Sequence, residues 1–135
     1  MKDNILMDKT FSFSKRIVKL YKYLTNEKKE YILSKQLLRS GTSIGANIRE
    51  SKYAQSDKDF ISKLSISLKE ASETEYWLEL LKEEYLSEAE VNSISPDLIE
   101  IIKLLTSIIN TMKKKIIIED EVKDNVLNQI GFLNY

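Results

Sequence analysis

The sequence predicts an all-α protein, an antiparallel up-down-up-down four-helix bundle. Three observations carry that reading. Glycine occurs only at 41, 45 and 131 and proline only at 96, too little punctuation for the many turns of a sheet protein. Apolar residues recur at spacings of three and four along four long segments, the period of a helix with one buried face. The breaks between those segments are short, which makes successive helices antiparallel neighbours. At 135 residues the chain forms one domain with a single core. The bundle is assigned to residues 1–115 and a C-terminal extension to residues 116–135.

The first helix is expected from about Asp8 or Thr10 to Leu24, on the stripe Phe13, Ile17, Leu20 and Leu24. Thr25 and Asn26 break it, and Asn26 is a candidate N-cap for the second helix, expected over about Glu27–Ala54. Leu33, Leu37, Ile44 and Ile48 share one side of that second helix with Gly41. Each interior glycine weakens a helix by ~1 kcal/mol relative to alanine. Gly41 and Gly45 lie one turn apart, and close approach of a neighbouring helix is the expected compensation.

The third helix is expected over about Asp57–Tyr85, capped by Ser56, with Asp57 and Asp59 at its positive end. Its stripe is Phe60, Leu64, Ala71, Leu78, Leu81 and Tyr85, with Ser67 and Thr74 as small members. Trp77 and Leu80 lie on another face, as expected for a helix touching a further neighbour or another subunit. Ser87 and Glu90 have capping-box spacing for a short turn. The fourth helix is expected to start at Ser95, with Pro96 in the first position and Asp97 next. Leu98, Ile101, Ile102, Leu105, Ile108, Ile109 and Met112 form its core face, and Lys113–Lys115 suit its negative end. Beyond that, Val122, Val126 and Ile130 keep helical spacing before Gly131. A short C-terminal helix and a flexible tail stay open as alternatives.

Composition excludes several chemistries. The chain has no histidine and no cysteine, so disulfides, thiolate zinc sites and histidine-based catalysis are absent from it. Glu70 and Glu73 have the i, i+3 spacing of bundle carboxylate sites, but the histidines of a di-iron set are missing. The expectation is a non-enzymatic protein without metal or cofactor. The start carries no secretory pattern, and no apolar run approaches the ~18 residues of a membrane span. A cytoplasmic protein without membrane contact is expected.

Net charge is zero, with 21 Lys and Arg against 21 Asp and Glu. The total hides an asymmetry: residues 1–69 carry 15 basic and 7 acidic side chains, and residues 70–135 carry 6 and 14. Lys15, Arg16, Lys19 and Lys22 place positive charge on the first helix, and Lys35, Arg39, Arg49 and Lys52 place it on and just after the second. Lys35, Arg39 and Arg49 share a face with Thr42 and Ala46. Such a surface can neutralise phosphates. It can equally be a solvated face or pair with the acidic helices, which carry Glu70, Glu73, Glu75, Glu79, Glu83 and Glu84. The opposed halves can compensate within one bundle or across a head-to-tail subunit contact of the kind that closes a ring.

The stretch QLLRSGTSIGANIRES, Gln36–Ser51, resembles the signature of the four-helix-bundle family of 23S rRNA intervening-sequence proteins. Gln36, Arg39, Ser40, Ser43, Ile44, Asn47, Ile48 and Glu50 match its pattern. Downstream, Lys69, Glu70, Ala71, Glu73, Thr74, Tyr76, Trp77 and Leu78 resemble the family's third helix, and TFSFSKRIVKLYKYL its first. The resemblance covers about residues 8–115. It implies a ring-like homo-oligomer, typically a pentamer. A related branch comprises accessory proteins of diversity-generating retroelements, which are basic and associate with nucleic acid. This chain is neutral and lacks their domain-wide basic excess.

Two roles stay open for the motif residues Ser40, Gly41, Ser43, Gly45, Asn47, Glu50, Glu70, Glu73 and Trp77. One is a structural or oligomer contact; the other is a ligand site. The partners expected are further copies of the chain, RNA or DNA at the basic face, and a basic partner protein at the acidic one. A protein-interaction scaffold that binds no nucleic acid is the alternative function.

Overall fold

The computed structural model describes the backbone of residues 2–133 and the side chains of residues 5–131. Four helices follow in order: α1 (Lys2–Asn26), α2 (Leu33–Ser51), α3 (Asp57–Glu84) and α4 (Glu88–Leu133). Each packs on its sequence neighbours, and α4 closes the bundle against α1. Phe13, Ile17 and Leu24 of α1, Leu37, Ile44 and Ile48 of α2, Leu64, Leu78 and Leu81 of α3, and Leu98, Ile101 and Leu105 of α4 are buried in one core. Burying one such side chain contributes about 1.5–3 kcal/mol, so the apolar stripes hold the bundle together.

The helix boundaries depart from the sequence expectation at the starts of α1, α2 and α4 and at the end of α4. α1 begins at Lys2 rather than near Asp8, because no breaker precedes Asp8 and Leu6 is an additional core anchor. α2 begins at Leu33, not Glu27. Lys29 adopts a positive φ of 56°, which stops α1 and lets the Glu30 N–H reach back to the Leu24 carbonyl at 2.9 Å. The cap of α2 is then Glu30 rather than Asn26. Its carboxylate accepts from the N–H groups of Ile32, Leu33 and Ser34 at 2.8, 2.8 and 2.6 Å. Three of the donors that a helix start leaves unpaired are thereby satisfied. α3 does start where expected, with the Ser56 hydroxyl accepting from the Asp59 N–H at 3.0 Å.

α4 starts at the Ser87–Glu90 capping box, with the Ser87 N–H donating to Glu90 at 2.9 Å and the Glu90 N–H to Ser87 Oγ at 3.1 Å. Pro96 therefore lies inside the helix and does not open it. Proline there removes one donor and pushes the carbonyls of the preceding turn outward. The helix passes through because Val91 and Ile94 before Pro96, and Leu98 and Ile101 after it, are all anchored in the core. Arg16 of α1 donates to the Ser93 carbonyl at 2.7 Å and also pairs with the Asp97 carboxylate. Beyond Met112 α4 runs on as helix to Leu133, in place of a separate short helix or a flexible tail.

Candidate nucleic-acid interface

The site is built on the seam between α1 and α2. A Cβ on Gly41 would stand 2.9 Å from Ile17 Cγ1 and Cγ2, and one on Gly45 would stand 3.2 Å from the Thr10 carbonyl oxygen. Gly45 thus faces the α1 backbone, and Gly41 makes room for the Ile17 side chain. That approach brings α1 side chains on the solvent side of the seam against Arg49. Phe11 projects there and is 49% exposed, an aromatic ring outside the core. Lys15 Nζ lies 5.1 Å from its ring centroid and the Arg49 guanidinium carbon 5.4 Å. Both distances are within cation–π range. A ring flanked by two cations offers a stacking face and phosphate partners together.

Lys19, Lys22 and Lys35 are exposed, and with Lys15 and Arg49 they form no salt bridge among the described residues. The structure separates the other basic candidates. Arg16 points to α4 and is held by Asp97 and Ser93. Arg39 lies at the α2–α3 seam, 3.7 Å from Glu73. Lys52 sits beyond α2, with Nζ 6.0 Å from the Tyr53 ring centroid. Lys35, Arg39 and Arg49 share a wheel face, but Arg39 turns to α3 and Arg49 to α1. Phe11 was not among the residues singled out from the sequence, although its i, i+4 spacing to Lys15 is a readable signal.

The polar motif residues of α2 and α3 join those two helices. Ser67 Oγ donates to the Ile44 carbonyl at 2.9 Å, and the Thr74 and Ser40 hydroxyls hydrogen-bond at 3.0 Å. Ser43 donates to the Arg39 carbonyl and Asn47 to the Ser43 carbonyl, both within α2. Glu50 pairs with Lys63 of α3 at 3.3 Å. Trp77 Nε1 donates to Glu73 at 3.3 Å, so Glu73 takes contacts from both Trp77 and Arg39. Glu70 Oε2 is buried with no hydrogen-bond partner among the described residues.

The family model described as 23S rRNA-intervening sequence protein matches residues 2–107. The chain belongs to this family. It is similar to a crystal structure from Bacteroides thetaiotaomicron of a protein of unknown function from the S23 ribosomal protein family. The two are 62% identical with a TM-score of 0.79, over 82% of this chain and 99% of that one. No curated protein matches the chain. In this 23S rRNA-intervening sequence family member, the α1–α2 seam and the α2–α3 motif fall inside the matched residues, while α4 beyond residue 107 falls outside. No helix is long and apolar enough to cross a membrane among the described residues.

Proposed function

We propose that this bundle is a non-enzymatic cytoplasmic protein that assembles as a ring-like homo-oligomer, a pentamer, and holds RNA or DNA along the α1–α2 seam. The observation that carries the nucleic-acid reading is Phe11, half exposed between Lys15 and Arg49; Lys19, Lys22 and Lys35, exposed further along the same two helices, form no salt bridge among the described residues. Stacking on such a ring tolerates any base, and the surrounding cations track the phosphates. The internal pairs Lys9–Glu100, Arg16–Asp97 and Arg39–Glu73 absorb part of the opposed charge of the two halves. Lys15 and Arg49, without a salt bridge among the described residues, are what remains at the seam for a phosphate backbone.

Assembly is supported by α3. Ile66 and Tyr76 are exposed on it, as expected where a subunit covers a surface. A five-membered ring is the assembly the sequence resemblance implies. A second reading is a scaffold for a basic partner protein. It is favoured by Glu75, Glu79 and Glu83, which are exposed and form no salt bridge among the described residues.

A gel-shift titration with structured RNA and duplex DNA across a salt series tests the leading reading. Binding that weakens steeply with salt is expected. Absence of any shift at low ionic strength would leave the scaffold reading standing alone.

A further inference from the structure

α4 outlasts the other three helices. Residues 113–133 carry it about 31 Å past the bundle at 1.5 Å per residue. The stripe that faces the core through Leu105, Ile108 and Met112 continues along this extension as Ile116, Val126 and Ile130, with Val122 and Leu127 on its edges and Glu119 and Lys123 within it. Val122, Val126, Leu127 and Ile130 are 48–57% exposed. An apolar strip this long on an unpartnered helix marks an interaction surface. A second surface adjoins it at the rim of the bundle: an open mouth with apolar Leu6, Met7, Phe60 and Met112 in its lining beside polar Lys52 and Asp57.

The charges of the extension point to its occupant. Lys113, Lys114 and Lys115 are followed by Glu119, Asp120, Glu121, Lys123 and Asp124; Lys115 pairs with Asp57 of its own bundle and with Glu119, which leaves Lys113 and Lys114 for a partner. A parallel pair of extensions sets lysines against lysines and carboxylates against carboxylates, which is repulsive. An antiparallel pair sets the basic cluster of each copy against the acidic cluster of the other. That same register places Leu127 opposite Ile108, on the turn of α4 that lines the mouth. Charge and apolar surface thus converge on one arrangement.

We infer that the α4 extensions of two copies of this chain pair antiparallel about a two-fold near Ile117 and Ile118, so that each tail beyond Val122 reaches the mouth of the other bundle. The contact is isologous and closes on itself. The extension lies outside the family match, and the contact goes beyond the ring and nucleic-acid reading and uses none of Phe11, Lys15 and Arg49.

The test is the mass in solution of the full chain and of a variant carrying Val122→Gln, Val126→Gln, Leu127→Gln and Ile130→Gln, measured by light scattering. Glutamine keeps helix propensity and removes the apolar strip, and circular dichroism verifies that the helix content is unchanged. The variant is expected to have half the parent's mass, whether the bundle alone is a monomer or a ring. Equal masses would overturn the pairing, and so would a tail found to associate only with a different protein. Because the chain has no cysteine, single cysteines report the direction. Oxidation is expected to cross-link two chains through Ile118→Cys, near the two-fold centre. Val126→Cys is expected to stay uncross-linked, because antiparallel pairing separates its two copies by about 25 Å at 1.5 Å per residue. Cross-linking through Val126→Cys and not through Ile118→Cys contradicts the antiparallel register.

Discussion

Gly41 of α2 rests directly on Ile17 of α1: a Cβ added to the glycine would stand 2.9 Å from both Cγ atoms of a fully buried isoleucine. Two opposed effects meet in Gly41→Ala. Helix propensity favours alanine by ~1 kcal/mol, while overpacking a filled core costs about 1–3 kcal/mol. Ile17 is β-branched, enclosed and unable to swing away, so the clash prevails. Gly41→Ala is expected to lower stability in urea unfolding by up to about 2 kcal/mol, the overpacking cost less the propensity gain. Gly131→Ala meets nothing within 4 Å and is expected to leave the bundle unchanged or raise helix content slightly.

Pro96 is a tolerated defect in α4. Replacing it with alanine restores an N–H for the Asn92 carbonyl and removes the ring that crowds it. Pro96→Ala is expected to stabilise the protein by about 1–3 kcal/mol, read as an upward shift of the urea midpoint. Arg16→Ala removes the cation that serves the Ser93 carbonyl beside this defect. It is expected to destabilise the parent more than it destabilises the Pro96→Ala background, which a double-mutant cycle measures.

Glu30 gives the fold a dependence on pH. Burial pushes its carboxyl up, but the N–H groups of Leu33, Ser34 and Ile32 and the Ser34 hydroxyl outweigh burial and hold it below the ordinary value of 4.5. A carboxyl lowered in the folded state contributes stability above its unfolded pKa and loses it as pH falls through the folded one. Glu30→Gln is therefore expected to be less stable than the parent at neutral pH. The gap is expected to narrow from about pH 4.5 downward, followed by urea unfolding at stepped pH.

Phe11 separates stacking from charge. Phe11→Ala is expected to weaken binding of single-stranded or looped RNA by about tenfold, since base–aromatic stacking contributes ~1–3 kcal/mol. The salt dependence of binding should stay the same, because no cation is lost. Fluorescence anisotropy at two salt concentrations checks both statements.

The fold was legible because each stripe repeats with the helical period and because glycine and proline are scarce. Ser56 was readable as a cap because the residues after it begin a stripe immediately. Glu30 was not, because a carboxylate that caps three N–H groups depends on the left-handed Lys29 just before it, which no side-chain type announces. Pro96 misled for the opposite reason: its local chemistry fits a helix start, yet core anchors on both sides carry the helix through it. The basic face was legible as a set, but its division was not. Whether Arg16 and Arg39 are bound internally or lie free depends on Asp97 and Glu73, which are distant in sequence. Phe11 falls opposite the Phe13, Ile17 and Leu24 stripe at 3.6 residues per turn, so its place outside the core was readable, while Arg49 on its ring depends on the packing of α1 on α2.

The most direct measurement is the salt dependence of RNA and duplex DNA binding by the parent and by a Lys15→Ala, Arg49→Ala double variant. With the seam as the phosphate contact, the parent binds at low salt, and log affinity falls linearly with log salt concentration. The double variant then binds more weakly, with a slope shallower by about 2 on duplex DNA, close to one per lost phosphate contact. A parent that shows no salt-sensitive binding, or a double variant with the parent's affinity and slope, would contradict the assignment of the α1–α2 seam.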